Sequence, residues 1–211
     1  MRAYHRTARW NLRDFFVAFF RLYPSLPPAK LLRGQNLYLR APEVRDFEAW
    51  SDLRTKSRNF LTPWEPTWPS DDLTLAAFRR RVRRNQQEIA TDEAYPYLIF
   101  RDDDVLVGGV TLGQVRRGVV QTATLGYWLG EVFARQGWMT AAVRTVTTYA
   151  FATLRLHRIE ASCLPHNEAS IRLLERVGFT REGYARGYLR INGTWQDHLL
   201  YGLLEDDVAG R

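Results

Sequence analysis

Three strand-like runs joined by tight turns place the strongest constraint on the fold of this chain. The runs are Tyr95–Arg101, Val105–Val115 and Val119–Leu129, and short polar segments at 102–104 and 116–118 separate them. Connections this short join neighbouring antiparallel strands, whereas a parallel connection needs a dozen or more residues. The middle of the chain is therefore predicted to form an antiparallel meander.

Helical and extended patterns alternate in the second half of the chain. The patterns predict helices over 138–154 and 167–177 and strands over 158–164, 179–191 and 194–204. The Asn-Gly dipeptide between the last two strands favours a hairpin. With a strand at 37–40 and two earlier helices, this order predicts one α/β domain with a mixed, predominantly antiparallel central sheet flanked by helices.

The segment between the first strand and the meander carries two local predictions. A helix is predicted over 42–59, and three prolines then exclude a helix across Leu61–Pro69. Ser70, followed by Asp71 and Asp72, is predicted to cap the next helix. The arginines of that helix go all round it, which favours a solvated basic face over a contact with RNA.

Positive charge is concentrated at the start of the chain. Residues 1–34 contain seven Lys or Arg and one acidic residue, whereas the whole chain has a formal net charge of +7. We therefore expect a basic N-terminal arm over 1–34, in which 11–23 could form a short amphipathic helix, a domain over 35–206 and a tail over 207–211. The arm suits an anionic surface, such as ribosomal or other RNA or acidic lipid, and the alternative is a solvated extension without a partner.

Cysteine content and apolar runs bear on the cellular compartment. Cys163 is the single cysteine, so no disulfide framework is expected and a reducing compartment is favoured. The apolar run at 15–20 is far shorter than the ~20 residues that span a membrane, and it lacks a signal-peptide cleavage site. The sequence thus predicts a cytoplasmic protein without a membrane span, and it leaves the oligomeric state open.

A strand, a loop and a helix follow one another around residue 137. The strand ends near Leu129, the loop contains Arg135 and Gly137, and the helix begins at Trp138. Unpaired N–H groups and the helix dipole attract an anion to such a helix start, and glycine permits a close approach. This turn is predicted to bind a diphosphate. Neither a Gly-Lys-Ser/Thr loop nor a GxGxxG pattern occurs, so other nucleotide-binding loops are disfavoured.

A second helix start carries an amide and a hydroxyl three residues apart. Asn167 and Ser170 can face the same side of the first turn, where they could bind the amide and thiol of a ligand. The alternative is a plain helix cap, which both residue types favour. Gly178 is predicted to end this helix.

Together, these two segments resemble the GNAT superfamily of acetyltransferases. That family has an Arg/Gln-x-x-Gly-x-Gly/Ala loop between a strand and a long helix, and a later Asn-x-x-Ser helix that ends in Gly-Phe. The resemblance covers about Leu37 to Leu204 and includes the order of elements. Ala134 and Met139 depart from the loop pattern. The segments 60–66 and 183–198 resemble the RimJ/RimL-type branch, the ribosomal-protein-alanine N-acetyltransferases.

The resemblance implies an acetyl-CoA-dependent N-acetyltransferase whose acceptor amine attacks the thioester directly. The foremost acceptor is the N-terminal alanine of a ribosomal or other protein. Two alternatives stay open at this point. One is acetylation of a small molecule such as an antibiotic or a polyamine, and the other is an RNA- or ribosome-binding module without catalysis.

The resemblance also implies a role for particular residues. The diphosphate of acetyl-CoA would be surrounded by Arg135, Gln136, Gly137, Trp138, Met139 and Thr140. Its pantetheine arm would pair with the backbone near Trp128 and Leu129 and would contact Asn167 further along. Ser170 would lie near the sulfur.

Candidate catalytic and acceptor-binding residues can also be named. Ser170 is the first candidate to protonate the leaving thiolate and Tyr188 the second, although Tyr188 is more simply explained as a half-buried aromatic of the sheet. The N–H near Leu129 would meet the developing oxyanion. Trp64 and Glu65 are predicted to help form the acceptor site, and Glu65 or a water chain could serve as the base.

No metal site is predicted from the sequence. His157, His166 and His198 are not spaced as a set of ligands, and each is interpreted as structural. The three aspartates at 102–104 are interpreted as a turn because no calcium-loop pattern follows them. Cys163 lies in an apolar strand and is interpreted as a core thiol and not as an acyl carrier.

Overall fold

Residues 31–209 are described in the structure, a computed structural model of the chain. The predicted helix at 11–23 and most of the basic arm lie outside these residues. The described chain forms one eight-stranded sheet with helices on both faces. No described helix is long and apolar enough to cross a bilayer.

The sheet confirms the predicted fold class. Its strands are β1 (Leu32–Gly34), β2 (Leu37–Arg40), β3 (Tyr95–Arg101), β4 (Leu106–Arg116), β5 (Thr122–Leu129), β6 (Arg158–Cys163), β7 (Thr180–Ile191) and β8 (Thr194–Leu204). Their order across the sheet is β1-β2-β3-β4-β5-β6-β8-β7. β5 and β6 pair in parallel, and the other neighbours pair antiparallel. The meander β3-β4-β5 is present as predicted.

Strand β1 lies inside the segment that the sequence analysis assigned to the arm. It is short, but Leu32 pairs with Leu39 and its side chain is buried. Asn36, with a φ of 60°, turns the chain between β1 and β2. The sheet therefore begins at Leu32, ahead of the predicted boundary at residue 35.

Helices cover the two faces of the sheet with separate cores. They are α1 (Phe47–Lys56), α2 (Arg58–Leu61), α3 (Leu75–Ala90), α4 (Trp138–Ala152), α5 (Glu168–Val177) and α6 (Glu205–Ala209). One cluster joins α4 and α5 to the sheet through Val143 and Leu174. A second cluster joins α1 and α3 to it through Trp50 and Phe78. Successive residues of β3 alternate between the clusters, so the clusters lie on opposite faces.

Two local predictions before the meander are wrong. Thr74, and not Ser70, caps α3, since its hydroxyl accepts from the Ala77 N–H at 3.2 Å. The aspartates after Ser70 instead bind arginines of α3 from a preceding turn. The proline-rich segment also contains a 3-10 turn, Thr62–Trp64, because proline is tolerated in a first turn, where its missing N–H would have no partner.

Candidate active site

β5 and β6 separate partway along their length. Their parallel pairing ends at Leu125 and Ala161, although β5 continues to Leu129 and β6 to Cys163. β5 stays paired with β4 over this stretch. The result is a wedge-shaped opening in the middle of the sheet, bounded by the last residues of β5 and β6.

Alternation along β5 determines which backbone groups face this opening. The Gln121 carbonyl accepts hydrogen bonds on the β6 side, whereas the Gly130 N–H donates to β4 at 2.9 Å. Because main-chain groups of successive residues point to opposite sides of a strand, Tyr127 and Leu129 direct theirs into the opening. The backbone groups of Trp128 point towards β4. The backbone groups that face the opening thus belong to Leu129, as expected, and to Tyr127 in place of Trp128. Tyr127 was not named in the sequence analysis.

The turn before α4 carries six consecutive backbone N–H groups that find no acceptor among residues 31–209. They belong to residues 135–140, and the first hydrogen bond of the helix is donated by the Ala141 N–H to the Gly137 carbonyl at 3.1 Å. Arg135 and Gly137 have φ values of 62° and 87°. Left-handed residues of this kind curve the main chain at anion-binding turns, and the dipole of α4 adds positive potential.

Side chains of the turn itself form hydrogen bonds that stabilise its conformation. The Gln136 amide donates to the Val132 carbonyl at 2.8 Å and accepts from the Trp138 indole at 3.1 Å. Met139, one of the departures from the family pattern, is 7% exposed and belongs to the core. Its side chain therefore leaves the ligand side of the turn open, although the residue is larger than the usual glycine or alanine.

Asn167 and Ser170 lie where α5 begins. The Asn167 side-chain carbonyl accepts from the Ser170 N–H at 3.1 Å, so Asn167 does cap the helix. The Ser170 side chain lies close to the hydroxyl of Tyr127, a partly buried residue at the edge of the core beneath α4 and α5. Burial raises the pKa of Tyr127, and the nearby Ser170 side chain partly opposes that rise. The structure thus brings Ser170 together with Tyr127, a partner that strand periodicity alone could not identify.

The loop Thr62–Trp68 contacts the turn between β7 and β8 and the residue that precedes the start of α5. The Glu65 carbonyl accepts from the Asn192 N–H in the β7–β8 turn at 2.9 Å. The Trp64 ring lies 5.5 Å from that of His166, measured between centroids, immediately before Asn167. Trp64 is therefore close to the α5 end of the opening, as the predicted acceptor role requires.

The Glu65 side chain points inward from this loop. Its carboxylate accepts two hydrogen bonds from Arg54, at 2.8 and 2.7 Å, and a third from the Trp68 indole at 2.6 Å. Arg54 is 6% exposed, and its guanidinium lies 4.1 Å from the Trp68 ring centroid and 5.0 Å from that of Trp128. Glu65 thus fastens the loop to α1, and Arg54 is a residue that the sequence analysis missed.

Strand β7 carries a bulge that positions Tyr188. Its pairing with β8 shifts within 185–189, where Gly187 has a φ of 54° and donates to the Asp197 carboxylate at 2.7 Å. Bulges of this type redirect side chains at functional sites. Here, the half-exposed Tyr188 ring meets the His198 ring edge-on at 5.7 Å between centroids.

Cys163 and the histidines show no metal chemistry in the described residues. No group of three His, Cys, Asp or Glu side chains in 31–209 is arranged to hold an ion. Burial, with a smaller contribution from the charge of Glu175, raises the pKa of Cys163 to about 11. The thiol is therefore protonated at neutral pH, which makes it a poor nucleophile.

With this geometry established, comparison with known proteins identifies the family. Residues 36–180 match the sequence model of the family described as the acetyltransferase (GNAT) domain. This chain is a GNAT acetyltransferase. The predicted family and enzyme class are confirmed, and acetyl-CoA is the acetyl donor.

Relatives of this GNAT chain extend over nearly its whole domain. It is 41% identical to "Probable N-acetyltransferase YjcK" of Bacillus subtilis over 84% of this chain and 98% of that protein. It is 33% identical to the [ribosomal protein uS5]-alanine N-acetyltransferase of Escherichia coli, over 90% and 98% of the two chains. The structure of Mycobacterium smegmatis RimJ in complex with CoA-disulfide matches with a TM-score of 0.80 at 31% identity, covering 86% of this chain and 89% of that one.

The GNAT site offers the donors that acetyl-CoA requires. Six N–H groups at 135–140 have no protein acceptor in the described chain, and a diphosphate is rich in acceptors. The N–H and C=O groups of Tyr127 and Leu129 face an opening in which an amide-containing arm can pair as a strand would. The residues present therefore fit the donor.

Replacement of Gly137 tests the conformation of the turn. We expect Gly137→Ala to lower the free energy of unfolding by about 1 kcal/mol, because an L-residue is strained at positive φ. We also expect it to weaken CoA binding in calorimetry, since relief of the strain would rotate the N–H groups. Gly118→Ala is the matched control: Gly118 has a φ of 70° and, like Gly137, has nothing within 4 Å of an added Cβ. It should lose similar stability and keep its CoA affinity, and equal affinity in both variants would contradict the assignment.

Proposed function

We propose that this GNAT enzyme acetylates the N-terminal amine of a protein, foremost an N-terminal alanine of a ribosomal protein. The observation that carries the proposal is the wedge between β5 and β6, with the Thr62–Trp68 loop beside it. An extended chain end can enter there and reach the backbone of Leu129. The similarity to a uS5-alanine N-acetyltransferase over 90% of this chain supports alanine as the acceptor residue.

In the proposed complex, the main chain does most of the binding. The N–H groups of residues 135–140 hold the diphosphate, and Arg135, which is exposed, adds a positive charge. Tyr127 and Leu129 pair with the pantetheine arm in place of the missing β6 partner. Asn167 has used its carbonyl as a helix cap, so its amide N–H groups are the part that binds the arm.

The chemistry follows from what faces the wedge. The Leu129 N–H stabilises negative charge on the carbonyl oxygen under attack. Ser170, which lies close to the Tyr127 hydroxyl, donates towards the leaving sulfur. An α-amino group has a pKa near ~8, against ~10.4 for lysine, so an N-terminal acceptor is already partly neutral at working pH.

A ribosomal acceptor would place the enzyme in the cytoplasm, in keeping with its single, protonated cysteine. Contact of the basic arm with the ribosome stays a prediction, because residues 1–30 lie outside the described chain.

A peptide screen tests the proposed acceptor. We expect transfer from labelled acetyl-CoA to short peptides that begin with Ala or Ser, and no transfer to the same peptides with a blocked N-terminus and a free lysine. Polyamines and amino-bearing antibiotics are the competing acceptors in the same assay. Transfer to a small amine without transfer to any peptide would overturn the proposal and indicate a small-molecule acetyltransferase.

A further inference from the structure

A buried imidazole lies beside the proposed acceptor route without an assigned role. His198 belongs to β8 and is 3% exposed. The last pair between β6 and β8 joins Cys163 to Leu199, so His198 sits one residue beyond the end of β6. It is thus level with the part of the sheet where β5 and β6 have separated.

The hydrogen bond of His198 fixes which ring nitrogen carries the proton. Its Nδ1 lies 3.0 Å from the Gln196 carbonyl oxygen. A carbonyl oxygen can only accept, so Nδ1 must be the donor in the neutral ring. Nε2 then holds a lone pair, and it has no hydrogen-bond partner within 31–209. The ring is held as a proton acceptor at Nε2.

Strand alternation places this ring on the acceptor side of the sheet. Leu199 and Tyr201 belong to the core beneath α4 and α5, so His198 faces the opposite side. Trp128 packs in the core of α1 and α3 and therefore shares that side. The loop Thr62–Trp68 joins the same side through Trp68, which contacts Arg54 beside Trp128. His198, Trp128 and the Thr62–Trp68 loop therefore lie on the same side of the sheet, and Ser170 lies on the other side.

We propose that His198 is the general base that removes a proton from the attacking amine through Nε2, and that Tyr188 positions its ring. The bulge at 185–189 brings Tyr188 against the ring edge, and the Gln196 carbonyl holds the other nitrogen. An imidazole suits this task because its charge changes near neutral pH. The proposal rests on acetyl transfer to an amine and not on which amine is used.

Every proton in the acetyl transfer has a donor and an acceptor when His198 is the base. The N–C bond forms as the C–S bond breaks, and the neutral amine gives one proton to Nε2. The departing thiolate takes one proton from the Ser170 hydroxyl. Solvent then carries the imidazolium proton of His198 back to Ser170. Asp197, the adjacent acidic residue, does not compete, because its carboxylate is bound by the Tyr184 hydroxyl and the Gly187 N–H.

His198→Asn is the discriminating variant. The asparagine amide can still donate to the Gln196 carbonyl, so it preserves the local structure but lacks Nε2. We expect kcat to fall about a hundredfold with any accepted amine, while the Kd of acetyl-CoA stays within twofold. His157→Asn, at an exposed histidine, is the matched control and should retain full activity.

A second readout needs no turnover. Long-range ¹H–¹⁵N spectra of the ligand-free enzyme should show His198 as the tautomer with its proton on Nδ1. Detection of the proton on Nε2, or retention of kcat within threefold in His198→Asn, would overturn the proposal. Absence of peptide acetylation with normal transfer to another amine would contradict the proposed acceptor and leave the role of His198 intact.

Discussion

Replacement of the Leu129 N–H by an ester oxygen should lower kcat by about 10²–10³-fold. The change is made by incorporating the α-hydroxy analogue of leucine, which keeps the side chain. The Leu129 N–H faces the wedge and makes no bond to β4, so its loss should cost little stability. The large effect on rate is expected because, in the proposed mechanism, this donor meets charge that develops only during the reaction.

Two neighbouring ester substitutions serve as controls for Leu129. At Tyr127, the N–H faces the same wedge, and we expect weaker CoA binding with a smaller change in kcat. At Gly130, the N–H donates to the Val107 carbonyl at 2.9 Å, so its loss should cost about 1 kcal/mol of stability and leave the chemistry intact. An unchanged kcat in the Leu129 ester would show that the oxyanion is stabilised elsewhere.

The second large effect is expected at the buried ion pair between Arg54 and Glu65, which holds the Thr62–Trp68 loop on α1. Glu65→Leu should lower the free energy of unfolding by about 3 kcal/mol or more, because it leaves the Arg54 charge buried without its partner. The Arg54 Nε already lacks a hydrogen-bond partner within the described chain, so loss of Glu65 would add to the unsatisfied donors of a buried charge. Urea denaturation should show a lower midpoint at an unchanged m-value.

Matched variants separate the cost of an unpaired buried charge from the cost of the lost side-chain contacts. Arg54→Met combined with Glu65→Leu removes both charges and should recover all but about 1 kcal/mol. Asp52→Asn breaks the ion pair between Asp52 and Lys56, in which the two side chains are 61% and 67% exposed. This variant should lose under about 0.5 kcal/mol of stability. A loss below about 1 kcal/mol in Glu65→Leu would mean that water solvates Arg54.

Sequence patterns identified most of the fold because its elements are locally determined. The Asn192-Gly193 turn shows why: both residues have positive φ, and β8 runs over the predicted residues. Ser70 was misassigned because two good caps lie close together, and only the ion pairs of Asp71 and Asp72 with α3 decide between them.

The site was less predictable wherever it depends on contacts distant in sequence. The glycine turn and Asn167 follow from local spacing, and the resemblance pointed to both. From the sequence alone, Arg54 is indistinguishable from a surface cation on a helix. Its burial depends on contacts with Glu65 and Trp68, which follow it in the chain. The place of Tyr127 depends on where the pairing of β5 with β6 stops, which no local pattern encodes.

The central claim is that the main-chain N–H groups of residues 135–140 bind the diphosphate of the acetyl donor. Titration of ¹⁵N-labelled enzyme with CoA, and separately with pantetheine, tests it at each residue. We predict that CoA shifts the amide signals of 135–140 together with those of Tyr127 and Leu129, whereas pantetheine shifts only the latter two. Saturation with CoA that leaves the signals of 135–140 in place would contradict the account.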